Sequence, residues 1–238
     1  MNITETIFPG KRGVLCLTYD DRHLDLWLAA MPVFRKYDAH ATFFFCREID
    51  AKAIETMKAL RGEGHTVGLH TLTHADAPEY FDKNGAQAYL DNEVLPQYNA
   101  CMEAGIAVKS FAYPNNRRTE ETDRALSPYF RHFRAGLGAK RPEGIPLNEY
   151  APMFRPVSEL PGRTVMGGAG IGSYYNTDIA ENLAVLQKAC DEEQVVVFFS
   201  HDIAVEPSRI GTSYEILEAM LEKASELGMA IVGFDQLP

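Results

Sequence analysis

Residues 13–21 read G-V-L-C-L-T-Y-D-D. The run carries no charge until it ends on two carboxylates, which describes a strand buried on both faces that stops at a polar loop. Working outward, the next run of this kind is A-T-F-F-F-C at 41–46, and an amphipathic helical stretch at 24–37 separates the two. The alternation continues. Helical spacing of Ile54, Met57 and Leu60 marks a helix over 52–61, a strand follows at 65–70, and a long helical region over 80–104 is interrupted by Pro96. Strands are expected at 108–113 and 130–135. The Gly- and Pro-rich segment 137–175 reads as short strands and long loops, after which a helix returns at 177–190 and V-V-V-F-F-S at 195–200 forms a strongly buried strand. T-S-Y-E at 212–215 has the pattern of a capping box, opening a helix with Ile216, Met220, Ala224 and Leu227 on one face, and a last strand is expected at 230–234.

Continuously apolar strands alternating with helices predict an α/β fold whose parallel sheet is covered by helices. At 238 residues one domain spanning 1–238 is expected, with a closed or nearly closed barrel preferred over an open sheet. The net charge of −10 argues against nucleic acid and anionic membrane as partners. No apolar run approaches the roughly 18 residues of a membrane span. The first eleven residues lack a basic stretch followed by an apolar one, so the chain as written reads as cytoplasmic, a secreted or periplasmic protein being the alternative if it has been trimmed. Cys16, Cys46, Cys101 and Cys190 form no C-x-x-C pair and read as buried free thiols. Asn2-Ile3-Thr4 is a glycosylation sequon read as chance, and Gly168, Gly170 and Gly172 have the wrong spacing for a dinucleotide loop.

Chemistry in such folds collects where strands end at the carboxyl face of the sheet. Asp20 and Asp21 stand there; adjacent carboxylates repel unless a cation or donor compensates, although a turn or helix cap is the plainer role for either. His70 and His74, in H-T-L-T-H, close the third strand at a spacing that points two imidazoles at one ion. Two histidines and an aspartate suit zinc or another first-row divalent ion such as cobalt or nickel, with positions left for water and substrate. His201 ends the most hydrophobic strand and should face the same mouth. Ser200, His201 and Asp202 are consecutive and cannot form a triad, which needs facing side chains from separate positions.

T-Y-D-D at 18–21, H-T-L-T-H at 70–74, F-A-Y-P-N at 111–115 and S-H at 200–201 occur in this order. Together with A-T-F-F-F at 41–45 and G-H-T-V-G at 64–68, they resemble the polysaccharide deacetylase family, carbohydrate esterase family four. The resemblance implies a distorted (β/α)7 barrel and a metal-dependent hydrolase removing N-acetyl groups from a carbohydrate. It implies Asp21, His70 and His74 as metal ligands, Asp20 as general base, His201 as general acid, and Tyr113 with Pro114 at the substrate, the Tyr113 N–H serving the oxyanion. Two features depart from the family. Its third motif begins with an arginine that braces the base, where this chain has Ala112, leaving Arg117, Arg118 or Arg155 to substitute. Its fourth motif, an Asp and a Trp near the catalytic histidine, is not recognisable, and Trp27, spaced with Met31 and Phe34, reads as core. These departures motivate two alternatives: a deacylase of an O-acetyl ester or small non-sugar amide, and a catalytically silent glycan-binding barrel.

Overall fold

The computed structural model describes residues 6–238; the sequon at 2–4 lies outside the described residues. Strands β1 (Val14–Asp21), β2 (Thr42–Phe45), β3 (Thr66–Leu69), β4 (Ser110–Ala112), β5 (His132–Gly136), β7 (Val165–Gly170) and β8 (Gln194–Ser200) pair in parallel in that order. β8 pairs back onto β1 from Val14↔Val195 to Tyr19↔Ser200, and this closes a seven-stranded barrel. The two-residue strands β11 (Ala230–Ile231) and β6 (Arg155–Pro156) attach outside the ring, to β1 and β8. Helices α1 (Leu24–Lys36), α2 (Ala51–Gly62), α3 (Ala77–Asn84), α4 (Ala86–Tyr89), α5 (Leu95–Glu103), α6 (Glu120–Leu126), α7 (Ile179–Asp191) and α8 (Tyr214–Glu226) surround it. The fold is the expected single α/β domain, and no described helix is long and apolar enough to cross a membrane.

The period-2 alternation of each strand divides the core into two. Leu15, Leu17 and Tyr19 of β1 join Phe43, Phe45, Phe111, Phe133, Val196 and Phe198 in the large cluster under the helices. Val14 and Cys16 share the barrel interior with Phe44, Ala112, Met166, Val195 and Val197. At the amino-terminal end of the strands Phe234 plugs this interior, its ring 5.9 Å from that of Phe44 and its N–H donating to Thr42 Oγ1 at 2.9 Å. Because Phe44 points inward, its neighbour on β3 must be glycine. A Cβ on Gly68 would stand 2.6 Å from the Phe44 ring and 2.5 Å from the Ser110 carbonyl. Gly68→Ala is expected to destabilise by about 1–3 kcal/mol through overpacking, read as a lower urea midpoint at unchanged slope.

Several expectations need correction. The long helix of 80–104 breaks at Gly85, whose φ of 85° ends α3, and again at a π turn, Leu90–Val94, just ahead of Pro96. A proline there removes one helical N–H, and the helix restarts around it. The cap of α8 is Ser213, which accepts from Ile216 N–H, while Thr212 lies in the short strand β10 (Thr212–Ser213), paired with β9 (Ile203–Ala204). The buried face of α8 is Leu217, Met220, Leu221 and Ala224, with Ile216 and Leu227 only half-buried. The final strand stops at Ile231, and Phe234 belongs to the plug. All four cysteines are free and buried, as expected.

Candidate active site

The alternation that sends Tyr19 outward sends Asp20 into the barrel, 3% exposed. Asp21 breaks the alternation with a φ of 79°, a conformation costly for a side-chain-bearing residue. The same left-handed backbone recurs at Thr71 and His74 and at Asn115 and Asn116, all on loops at the carboxyl end of the strands. Such a concentration is typical of sites where the surroundings over-determine the backbone.

His70, 1% exposed, leaves β3 with its Nδ1 2.8 Å from the Ala112 carbonyl. That contact makes Nδ1 the protonated nitrogen and leaves the Nε2 lone pair facing Asp21 Oδ1 at 3.8 Å. Burial, reinforced by Arg134 and His74 against the pull of Asp20 and Asp21, pushes its pKa down, so the ring is neutral at pH 7. His74 Nε2 lies 3.9 Å from the same Asp21 oxygen. The three donor atoms all fall within 4.8 Å of one another. A tetrahedral ion with bonds of ~2.0–2.2 Å spaces its donors roughly 3.3–3.6 Å apart, so small side-chain rotations would close this set on a divalent cation.

Asp20 is braced from a strand that sequence reasoning did not single out. Arg134 on β5 is 1% exposed and donates through Nη2 to Asp20 Oδ2 and through Nη1 to Asn116 Oδ1. Its guanidinium lies 4.9 Å from the Phe199 ring centre and 5.8 Å from that of Phe44. In the β4–β5 register Ala112 is the direct partner of Arg134. The small residue on one strand thus faces the arginine supplied by the next. The candidates named from sequence are engaged elsewhere: Arg117 with Asp76, Arg118 with Asp123, and Arg155 with the Phe154 carbonyl. A signal was present, since His132 and Arg134 occupy the inward phase of the alternating run H-F-R-A-G. Burial by itself would raise the Asp20 pKa, but Arg134, with His70 and His201 nearby, outweighs it and holds the carboxyl below its ordinary value. Asp20 Oδ1 is buried and has no protein partner.

His201 reaches the mouth from β8, with Nε2 3.9 Å from Asp21 Oδ2. Its Nδ1 lies 3.2 Å from the Ile210 carbonyl, and its own carbonyl accepts the Trp27 indole N–H at 2.8 Å. Trp27 is core, as expected, and it also anchors the histidine backbone. The loop that carries Ile210 is tied by Asp202, which accepts from Ser208 N–H at 2.7 Å and from Ser208 Oγ at 2.5 Å. Ser200 donates to the Ile210 carbonyl at 3.0 Å, so Ser200 and Asp202 shape the loop and take no part in a triad.

Tyr113 is corrected. It is fully buried, its hydroxyl donates to Asp123 at 2.7 Å, and its N–H donates to the Arg134 carbonyl at 3.0 Å. The β4–β5 ladder has used the amide assigned to the oxyanion. Pro114 is also buried, at the first position of the turn Pro114–Asn116 that carries Asn116 to Arg134. Beside Asn116 and Phe199 opens a groove of about 970 Å³, walled by 139–147 and by Tyr174 and Tyr175. Tyr175 packs on Phe199 at 5.1 Å, while Tyr174 is 57% exposed under the Arg209 guanidinium.

The chain is 37% identical over 79 residues to a peptidoglycan-N-acetylglucosamine deacetylase of Bacillus cereus, an alignment covering 33% of this chain. It spans only 28% of the length of that curated relative. Its fold matches the chitin deacetylase of the fungal pathogen Colletotrichum lindemuthianum with a TM-score of 0.61 at 17% identity, over 94% of this chain and 86% of the other. The Xyl-CE4 domain of a multidomain xylanase from the hindgut metagenome of Trinervitermes trinervoides matches with a TM-score of 0.61 at 16% identity, over 94% and 89% of the two chains. The polysaccharide deacetylase family model matches residues 9–129, the half that carries β1 to β4 with Asp20, Asp21, His70 and His74, and the chain belongs to that family.

Proposed function

We propose that this protein is a divalent-metal hydrolase that removes N-acetyl groups from an oligo- or polysaccharide, with zinc as the resident ion. One observation carries the reading. The donor atoms of Asp21, His70 and His74 converge, and a buried carboxylate, Asp20, and a third imidazole, His201, face the same point without belonging to the set. Cobalt or nickel would satisfy the same donors.

An ion held there would polarise the acetyl carbonyl and make water a nucleophile near pH 7. Asp20, kept ionised by Arg134, accepts the proton of the attacking water through its unpartnered Oδ1. His201, with Nδ1 against the Ile210 carbonyl, presents Nε2 to the departing amine and protonates it, without which an amine leaves poorly. The groove beside Asn116 supports an extended sugar substrate, with exposed Tyr174 as a stacking surface. Pro114 shapes this wall through the turn it opens.

The test is acetate release from N-acetylglucosamine oligomers by the zinc-loaded protein, with acetylated xylan and a small N-acetyl amide as comparisons. Release from the oligomers, abolished by a chelator, is the expected result. Release only from the ester or only from the small amide would move the substrate class and leave the site intact. Equal glycan affinity in wild type and Asp20→Asn with no turnover in either would make the protein a binder.

A further inference from the structure

Two residues of the H-T-L-T-H loop run through left-handed backbone, Thr71 at φ 67° and His74 at φ 63°. Neither is glycine, and such conformations persist only where neighbours hold them. Thr71 is held by the Arg47 N–H on its carbonyl and the Ala75 N–H on its hydroxyl, both at 3.1 Å, and the two residues before His74 are held by Glu93. Its side chain is buried, 4% exposed, and both carboxylate oxygens grip one residue: Oε2 accepts the Thr73 N–H at 2.8 Å and Oε1 accepts the Thr73 hydroxyl at 2.7 Å. Its main-chain carbonyl accepts the Leu72 N–H at 2.9 Å. One residue therefore fastens both residues of the loop that immediately precede His74. Glu93 lies within the π turn Leu90–Val94, an irregularity that recurs at functional sites. His70 needs no such device, because it follows directly on β3 and its ring is fixed by the Ala112 carbonyl.

We propose that Glu93 is the positioning residue of the metal centre: by clamping Leu72 and Thr73 it aims His74 Nε2 at the Asp21 oxygen, and so sets how tightly and with what geometry a first-row divalent ion is held. This rests on Asp21, His70 and His74 being the ligands. Glu93 touches neither ion nor substrate and acts only through the loop. Removal of partners that orient metal ligands typically weakens metal binding about 10–100-fold.

The experiment measures zinc affinity by competition with a chromophoric chelator, and the visible absorption of the cobalt-loaded protein, in wild type, Glu93→Gln, Thr73→Val, the double variant and His70→Ala. Glu93→Gln keeps the shape but removes the charge: its oxygen can still accept the Thr73 N–H, while its N–H2 meets the Thr73 hydroxyl only if that hydroxyl turns to accept, so two charge-assisted bonds become weaker neutral ones. We expect zinc binding weakened by about 10–100-fold with an altered cobalt spectrum, a smaller change of the same kind in Thr73→Val, and in the double variant a loss smaller than the two single losses combined, because both act on one pair of contacts. Unchanged zinc affinity and cobalt spectrum in Glu93→Gln, with only a lower unfolding midpoint, would reduce Glu93 to a structural residue and overturn the proposal. If Glu93→Gln does not fold, Thr73→Val decides by the same two readouts. His70→Ala separates the levels. Lost zinc binding there with Glu93→Gln unaffected rejects the clamp alone, whereas full affinity in His70→Ala rejects the ligand set and the clamp with it.

Discussion

Arg134→Met is expected to cost about 3–5 kcal/mol of folding stability at neutral pH, and clearly less in mildly acidic solution. In the metal-free protein, methionine roughly preserves the volume between Phe44 and Phe199 but leaves Asp20 a buried charge without its guanidinium. In the wild type the folded-state pKa of Asp20 is depressed, so its stabilising contribution is present above the unfolded value and is lost as pH falls through the folded one. Without the guanidinium, burial is the dominant influence and raises the carboxyl above its unfolded value. The sign then reverses, and the variant gains stability as falling pH protonates Asp20. The same shift should move the acid limb of kcat/KM upward, because the general base must be ionised to act. Urea unfolding at neutral and mildly acidic pH, together with the pH profile of acetate release, checks both halves. Equal destabilisation at the two pH values would mean that Arg134 contributes packing and not charge compensation.

His70→Ala, or removal of metal from the wild type, is expected to abolish measurable turnover. Carbonyl polarisation and water activation by a bound ion supply several kcal/mol of barrier lowering, and each ~1.4 kcal/mol is tenfold in rate. His70 is the most constrained of the three donors, fully buried and neutral, with one ring nitrogen committed to Ala112 and the other directed at Asp21. The ion should also stabilise the fold, by about 4 kcal/mol at a thousandfold excess over its Kd. Thermal unfolding of the wild type should therefore rise with added zinc, fall with a chelator and recover with cobalt, while His70→Ala should not respond. Turnover that survives exhaustive chelation would exclude the metal-dependent mechanism.

The division between what was legible in the chain and what was not follows from the range of the interactions involved. Period-2 and helical spacing, strand-end polarity and the H-x-x-x-H spacing are local, because each is set by the backbone geometry of a few consecutive residues. They were enough for a helix-covered parallel sheet closed or nearly closed into a barrel and for two histidines with an aspartate as a ligand set; the (β/α)7 count and Asp21 as that aspartate came with the family resemblance. Where local patterns competed, the reading slipped: T-S-Y-E placed the cap one residue early, and a 25-residue helical pattern concealed the Gly85 break and the π turn that Pro96 enforces.

Other features depend on strands that are neighbours in space and distant in sequence, and these only the tertiary structure decided. Asp20 and Arg134 are 114 residues apart, and they meet because the ring of strands carries β5 opposite β1. Trp27 and His201 are 174 apart, and they meet because β8 closes onto β1 and α1 packs outside that seam. Pairing of β4 with β5 also spent the Tyr113 amide on the Arg134 carbonyl. The sequence alone determined the strand-end histidines and aspartates that could hold a metal, since ligand type and the H-x-x-x-H spacing are local properties; that Asp21 is the aspartate of the set came with the family resemblance, and its donor atom meets those of His70 and His74 only in the folded barrel. Which arginine keeps Asp20 ionised, and which indole and carbonyl hold His201, were decided by closure of the barrel, because those contacts join elements that no local periodicity relates; the grip of Glu93 on Thr73 was decided by the fold of the β3–β4 connection.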